Sequence, residues 1–289
     1  MGVYLIVRLI LWKFSWLPFK VINWLSNGVA FVLHHLVRYR RDVIQSNLET
    51  CLENLSSDER KTLIKQSYLN LSDVLLESIK GLSLTEQELT VRNKSVGAEL
   101  IDQYLEKEQS VICVCGHIAN WEWAVLGIGY RFRNKVIGIY KQINNPRVES
   151  YIKKLRAKCS MKLLTTHETR LIHEDIPKGR VILLMGDQNP SNIQEAIWVK
   201  FFGKDTACLH GLEKYAGSYQ LPVVYMEMTR TKRSNYQMSF SMLCENPSTI
   251  PKGELTQMFM SRLEKTILKN PSDWLWSHKR WKHVKENKK

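Results

Sequence analysis

His117 and Glu122 stand five positions apart, just past an apolar run, Val111-Ile-Cys-Val-Cys115, that Gly116 ends. An imidazole and a carboxylate delivered beyond a buried strand are the parts of a general base and its orienting acid. They also lie where open α/β sheets carry their chemistry. On one continuous helix, five residues turn about 140° about the axis, so the two side chains would not share a face. The pair therefore works only with His117 in the turn after the strand and Glu122 in the first turn of a following helix. On spacing alone, a buried histidine beside a surface glutamate is the competing reading.

A second stretch repeats the arrangement. Val181-Ile-Leu-Leu-Met185 reads as a buried strand, followed by Gly186 and then Asp187-Gln188-Asn189-Pro190. In a sheet whose strands run the same way, both strand ends open on one edge. Asp187 by itself would also serve as an ordinary turn-capping aspartate.

What is missing narrows the reaction. The sequence has no G-x-S-x-G elbow, no Walker A loop, no G-x-G-x-x-G and no H-E-x-x-H. A base without a resident nucleophile implies that the nucleophile belongs to the substrate, as when a histidine activates a hydroxyl to attack an activated acyl group. Cys113 and Cys115 sit inside a strand, a poor place for a nucleophile. With His117 they alternate on one strand face, but no second ligand cluster follows. No metal and no cofactor are expected. The six cysteines (51, 113, 115, 159, 208 and 244) show no C-x-x-C spacing and read as reduced, mostly buried thiols of a cytosol-facing protein.

These residues must be positioned by the rest of a 289-residue chain. Residues 3–37 contain no acidic side chain; Trp12, Trp16, Trp24, Arg8, Lys13 and Lys20 are set among aliphatic residues, and Pro18 divides the stretch. Val21 to Val37 is about long enough to span a bilayer only if thinned or tilted, since roughly 20 apolar residues are usual, and it is interrupted by Asn23, Ser26, Asn27, His34 and His35. A helix lying in the membrane interface suits it, with tryptophan at headgroup depth; a buried helix pair is the alternative. Arg38-Tyr-Arg-Arg41 follows directly, a basic cluster that favours anionic headgroups. Ser56-x-x-Glu59 is a capping box opening a long helix that Gly81 closes. Strands are then predicted at 111–115, 136–140, 181–185, 197–201, 223–229 and 236–243. Helices are predicted at about 98–107, 120–130, 146–159, 208–219 and 254–269. This alternation predicts an α/β fold with a mixed, largely parallel sheet flanked by helices. The expected division is a membrane-associated segment, 1–41, and one catalytic domain, 42–289. The net charge of +14 suits anionic lipid or an acidic protein partner.

Several of these stretches, in order, resemble one family. Arg38-Tyr-Arg-Arg41 with Asn47-Leu48, His117-Ile-Ala-Asn-Trp-Glu122, Asp187-Gln188, Phe201-Phe-Gly203 and Trp274-Leu-Trp-Ser-His-Lys-Arg-Trp281 look like the bacterial lipid A biosynthesis acyltransferases. These enzymes lie within the wider His-x4-Asp/Glu acyltransferase group. The resemblance covers about residues 20–283 and implies the glycerolipid acyltransferase-like fold. It also implies an inner-membrane protein, its catalytic domain facing the cytoplasm, that moves an acyl chain from acyl-carrier protein, or from acyl-coenzyme A, onto a hydroxyl of an acylated glycolipid. It makes His117 the base and Glu122 the acid that orients it. The family's essential arginine falls on Arg156, sixteen residues after Tyr140, and its aspartate on Asp187. Asn120, Lys141 and Gln188 are then expected to bind substrate. Lys141-Gln142 stands where the family usually has Arg-Pro, which weakens a bidentate phosphate or carboxylate contact there. The same chemistry on a lysophospholipid or an aminoacyl lipid is a nearby alternative. A non-catalytic membrane- or nucleic-acid-binding protein is the alternative from another class, with Trp274, Trp276 and Trp281 as its stacking platform; nucleic acid is not the expected partner.

Overall fold

The computed structural model describes residues 2–140 and 142–285. Two N-terminal helices, α1 (Gly2–Trp16) and α2 (Phe19–Phe31), are broken at Pro18, and a π-helical turn, Val32–Leu36, extends α2. Neither helix, nor any other among the described residues, is long and apolar enough to cross a membrane. Helices α3 (Arg41–Cys51), α4 (Ser57–Gly81) and α5 (Glu86–Arg92) precede the first strand, β1 (Asn93–Val96). The Ser56 capping box forms as predicted: its hydroxyl accepts the Glu59 amide, and the Glu59 carboxylate accepts the Ser56 amide at 2.9 Å.

After β1 the chain alternates: α6 (Glu99–Leu105), β2 (Val111–Cys115), α7 (Trp121–Arg131), β3 (Val136–Tyr140), α8 (Pro146–Arg156), β4 (Lys162–Thr165), β5 (Val181–Met185). A separate two-stranded hairpin, β6 (Ile197–Phe201) with β7 (Lys204–Cys208), is followed by α9 (Gly211–Tyr219). Then come β8 (Val223–Lys232), β9 (Asn235–Cys244) and α10 (Glu254–Lys269). The seven-stranded sheet has the order β1-β9-β8-β2-β5-β3-β4. Every neighbouring pair in it is parallel except β8 with β9. The mixed, largely parallel sheet is therefore present.

The strands buried on both faces, β2 and β5, are the ones their apolar runs announced, as expected for the centre of a parallel sheet. Edge strands were harder to foresee. β1 carries the sequence Asn-Lys-Ser-Val with only its first residue buried, and its identity comes from pairing with β9. The expected strand 197–201 forms, but in the hairpin rather than in the main sheet, because it pairs with β7 alone.

Register within the sheet brings the two chemical stretches together. Cys115 of β2 pairs with Met185 of β5, and the amide of Gly186 bonds the Cys115 carbonyl at 3.0 Å. The residues two positions beyond each strand, His117 and Asp187, thus emerge side by side. Both glycines lie under side chains of α10. A methyl group at Gly116 would lie 2.6 Å from a Leu263 methyl carbon, and one at Gly186 would lie 2.7 Å from the Phe259 ring.

Candidate active site

Asp187 is buried and accepts three hydrogen bonds. Its Oδ1 lies 2.6 Å from His117 Nδ1; its Oδ2 accepts the His117 backbone amide at 2.9 Å and the Trp274 indole N–H at 3.1 Å. Burial alone would push this carboxyl up. The charge of His117 and the bonds from His117 and Trp274 outweigh it and hold the group well below the usual carboxylate range. For His117 the balance runs the other way: burial pushes the imidazole down, but the charge and hydrogen bond of Asp187, with a further contribution from Glu122, keep it above its ordinary value.

The acid on the imidazole is therefore Asp187, and the expectation that Glu122 orients His117 is corrected. His117 sits in the turn after β2 and Glu122 in the first turn of α7, as the five-residue spacing required. From there the Glu122 carboxylate pairs with Arg156 Nη2 at 2.9 Å. Arg156 comes from the last turn of α8, so the two expected residues do meet, as an ion pair beside the imidazole. The Trp121 ring stands edge-on to that of His117, with centroids 5.3 Å apart.

Gln188 reaches the other nitrogen of the ring, its amide nitrogen 3.1 Å from His117 Nε2. With Nδ1–H donated to Asp187, Nε2 carries the lone pair, and the Gln188 amide donates to it. Asn120, expected to bind substrate, is instead fully buried. Its Oδ1 accepts the Trp123 amide at 3.0 Å, which caps α7, and its Nδ2 donates to Glu77 at 2.8 Å. Both ends of the side chain are spent within the protein. Lys141 lies outside the described residues.

The thiols of Cys113 and Cys115 are buried within β2, and burial pushes both up, Cys115 with added repulsion from Cys113 and Asp187. Neither supplies a thiolate. The Trp274–Trp281 segment is likewise structural. Trp274 and Trp276 are buried, and the Trp281 indole donates to Thr206 at 2.9 Å while its ring stacks on Phe201. Arg280, also buried, donates to the Ala207 carbonyl at 2.8 Å. A stacking platform for bases would need these rings exposed. The segment is held by the early basic motif: Arg40 donates to the Ser277 carbonyl at 3.0 Å, and Asn47 to the carbonyls of Trp276 and His278 at 2.8 and 2.9 Å. Trp274 in turn holds Asp187.

Helix α4 carries residues that the sequence reading passed over. Glu77 accepts the Asn120 amide, and Asn70 donates at 3.1 Å to the Asp273 carbonyl, which itself accepts the Ala119 amide at 2.8 Å. Ala119 takes a left-handed φ of 50° in this turn. The signal was available: Asn70, Asp73 and Glu77 recur at helical spacing among the apolar residues of α4. Polar groups on a core-facing stripe require buried partners.

The residues from 1 to 283 match the model of the bacterial lipid A biosynthesis acyltransferases. Among curated relatives, the lipid A biosynthesis lauroyltransferase of Escherichia coli (strain K12) is 21% identical over 281 residues, covering 94% of this chain and 89% of that protein. The palmitoleoyltransferase of the same organism is 21% identical over 280 residues with the same coverage. A lipid A biosynthesis acyltransferase of Haemophilus influenzae is 20% identical over 276 residues, covering 92% and 86%.

Asp187→Asn gives a direct test of the imidazole arrangement. Two N–H donors already claim the Oδ2 position, so the asparagine must place its oxygen there and turn its NH₂ toward His117 Nδ1. The ring proton then moves to Nε2, which loses its lone pair. Nitrogen-15 NMR is expected to show the Nδ1–H tautomer in the wild type, the Nε2–H tautomer in the variant, and a lowered imidazole pKa. Stability follows the same pair. The Asp187 contribution is present above about pH 4 and lost as pH falls toward its depressed pKa. The His117 contribution is present below about pH 6.5 and lost as pH rises through its raised pKa. Denaturant titrations should show both dependences weakened in Asp187→Asn. The chain belongs to the bacterial lipid A biosynthesis acyltransferase family.

Proposed function

We propose that this acyltransferase moves a fatty acyl chain from a thioester on acyl-carrier protein to a hydroxyl of a lipid A-type acylated glycolipid precursor, with His117 as general base. The observation that carries the mechanism is the 2.6 Å contact from Nδ1 to Asp187, which fixes the tautomer with Nε2 as the accepting atom. An acceptor hydroxyl displaces the Gln188 amide from Nε2. As its oxygen attacks the thioester carbon, its proton passes to Nε2, and Asp187 stabilises the imidazolium. The tetrahedral intermediate then collapses, the C–S bond breaks, and the departing thiolate takes the proton from Nε2. An ester and a free thiol result, with His117 restored.

Glu122 fixes Arg156, and the guanidinium supplies positive charge for the anionic groups of the reaction, the developing oxyanion and an acceptor phosphate. Gln188, once displaced, and Lys141 contact substrate. The Escherichia coli relatives are named for lauroyl and palmitoleoyl transfer, which supports a fatty acyl donor. The net charge of +14 supports both an acidic carrier and a phosphorylated lipid.

Residues 1–41 are proposed to lie on the inner membrane, with the catalytic domain on its cytoplasmic side. In support, α1 exposes Leu5, Leu9, Trp12 and Trp16, and α2 exposes Trp24 and Phe31, while Ile22, Ser26 and Ala30 are buried. Apolar faces of this kind lie in a membrane interface. Beside them, an apolar groove of about 440 Å³ runs along α1, lined by Leu5, Leu9, Trp12 and Leu82 with Arg8 and Lys158 among its walls. That combination suits an anionic amphiphile.

Two measurements test this reading. His117→Ala should lower turnover of an acyl-carrier thioester with a lipid A precursor by about 10²–10⁴-fold, read by mass spectrometry of the lipid product; undiminished turnover would sink the mechanism. Replacing Trp24 and Phe31 with aspartate should release the protein from vesicles containing anionic lipid. Retention equal to that of the wild type would remove the interfacial role of α2.

A further inference from the structure

Glu77, near the C-terminal end of α4, is 0% exposed, yet it is an acid. Its Oε2 accepts Asn120 Nδ2 at 2.8 Å and the Tyr236 hydroxyl at 2.6 Å, and its Oε1 accepts the Ser234 hydroxyl at 2.8 Å. Its own backbone carbonyl accepts the Trp123 indole N–H at 2.8 Å. One residue of α4 thus grips Asn120 and Trp123, which bracket Trp121 and Glu122. One turn earlier, Asp73 is bonded by Ser26 of α2 at 2.5 Å and by Arg230 and Arg233 at 2.9 and 2.6 Å.

Burying a carboxylate costs several kcal/mol unless hydrogen bonds replace its water. Here three donors do so. The bond from Asn120 is separate from its capping role. Capping α7 uses only Oδ1, and a serine would cap equally well. Nδ2 is the additional group, and its acceptor is Glu77.

We propose that Glu77 is a positioning residue for acyl transfer: through Asn120 it fixes the start of α7, and with it the Glu122–Arg156 pair, relative to His117. The proposal rests on the acyltransferase reading above. It assigns α4 a task beyond packing, because α4 holds the base-bearing turn at two successive residues. Asn70 secures Ala119 through the Asp273 carbonyl, and Glu77 secures Asn120. The expected consequence of loosening only the second hold is that Glu122 drifts while the fold persists. The His117 imidazole then loses the part of its environment that Glu122 supplies.

Asn120→Ser isolates that hold, since it keeps a cap and removes Nδ2. In the full-length protein it should lower kcat about tenfold with KM changed less than about twofold, the scale set by small misplacements of reacting groups. NMR titration without substrate should show the His117 pKa lowered, and the melting temperature should stay close to that of the wild type. Glu77→Gln, which keeps an oxygen toward Asn120, should recover most of what Glu77→Leu loses. Wild-type kcat together with an unshifted His117 pKa in Asn120→Ser would overturn the proposal; so would losses that only follow a fall in melting temperature. The NMR readout needs no turnover, so failure of the acyltransferase reading, seen as no product from wild-type enzyme, is distinguishable from failure of this one.

Discussion

The buried carboxylate of Asp187 is the group on which the site depends. Three N–H donors from two different parts of the chain converge on it, and one of them is the imidazole it orients. A buried carboxylate stays charged only where donors and an opposite charge replace its water. The structure around it reads as the means of meeting that condition. The register of β2 against β5 places it beside His117, and two glycines let α10 close over the strand ends. Trp274 is delivered by a C-terminal segment that Arg40 and Asn47 pin from the other end of the chain. Residues far apart in sequence are thus joined, through hydrogen bonds and the C-terminal segment between them, to the His117 imidazole.

Helix α4 is the second organising element. It joins N-terminal α2, through Ser26 and Asp73, to the turn that carries His117, through Asn70, Asp273 and Glu77. The exposed apolar face of α2 and the turn that carries His117 are therefore joined by one polar-bonded helix, and are thus tied to one common frame.

The fold was largely legible because its central strands are continuous apolar runs and its longest helix opens on a capping box. β2, β3 and β5 fall at their predicted bounds. The polar edge strand β1 was not legible, since only pairing with β9 makes it a strand. In the site, His117, Asp187 and Gln188 could each be named from the sequence, but not their contact with one another. What one dimension hides is register: Asp187 lies 70 residues from His117 and still reaches it, whereas nearby Glu122 turns away to Arg156. Asn120 was misread for a related reason. Its place inside the motif suggested substrate contact, but its amide and oxygen are both needed to build the turn. The polar stripe on α4 was visible as a pattern and needed the fold to say what it holds.

The central claim is that a neutral His117, oriented by Asp187, accepts the proton of the lipid hydroxyl. The most direct measurement is the pH dependence of single-turnover acyl transfer from a thioester donor, set beside the NMR titration of the His117 ring. The account predicts a rate that falls on the acid side with an apparent pKa above the ordinary imidazole value of about 6.5, equal to the pKa of His117. Undiminished transfer at about pH 5, where such an imidazole is fully protonated, would contradict it.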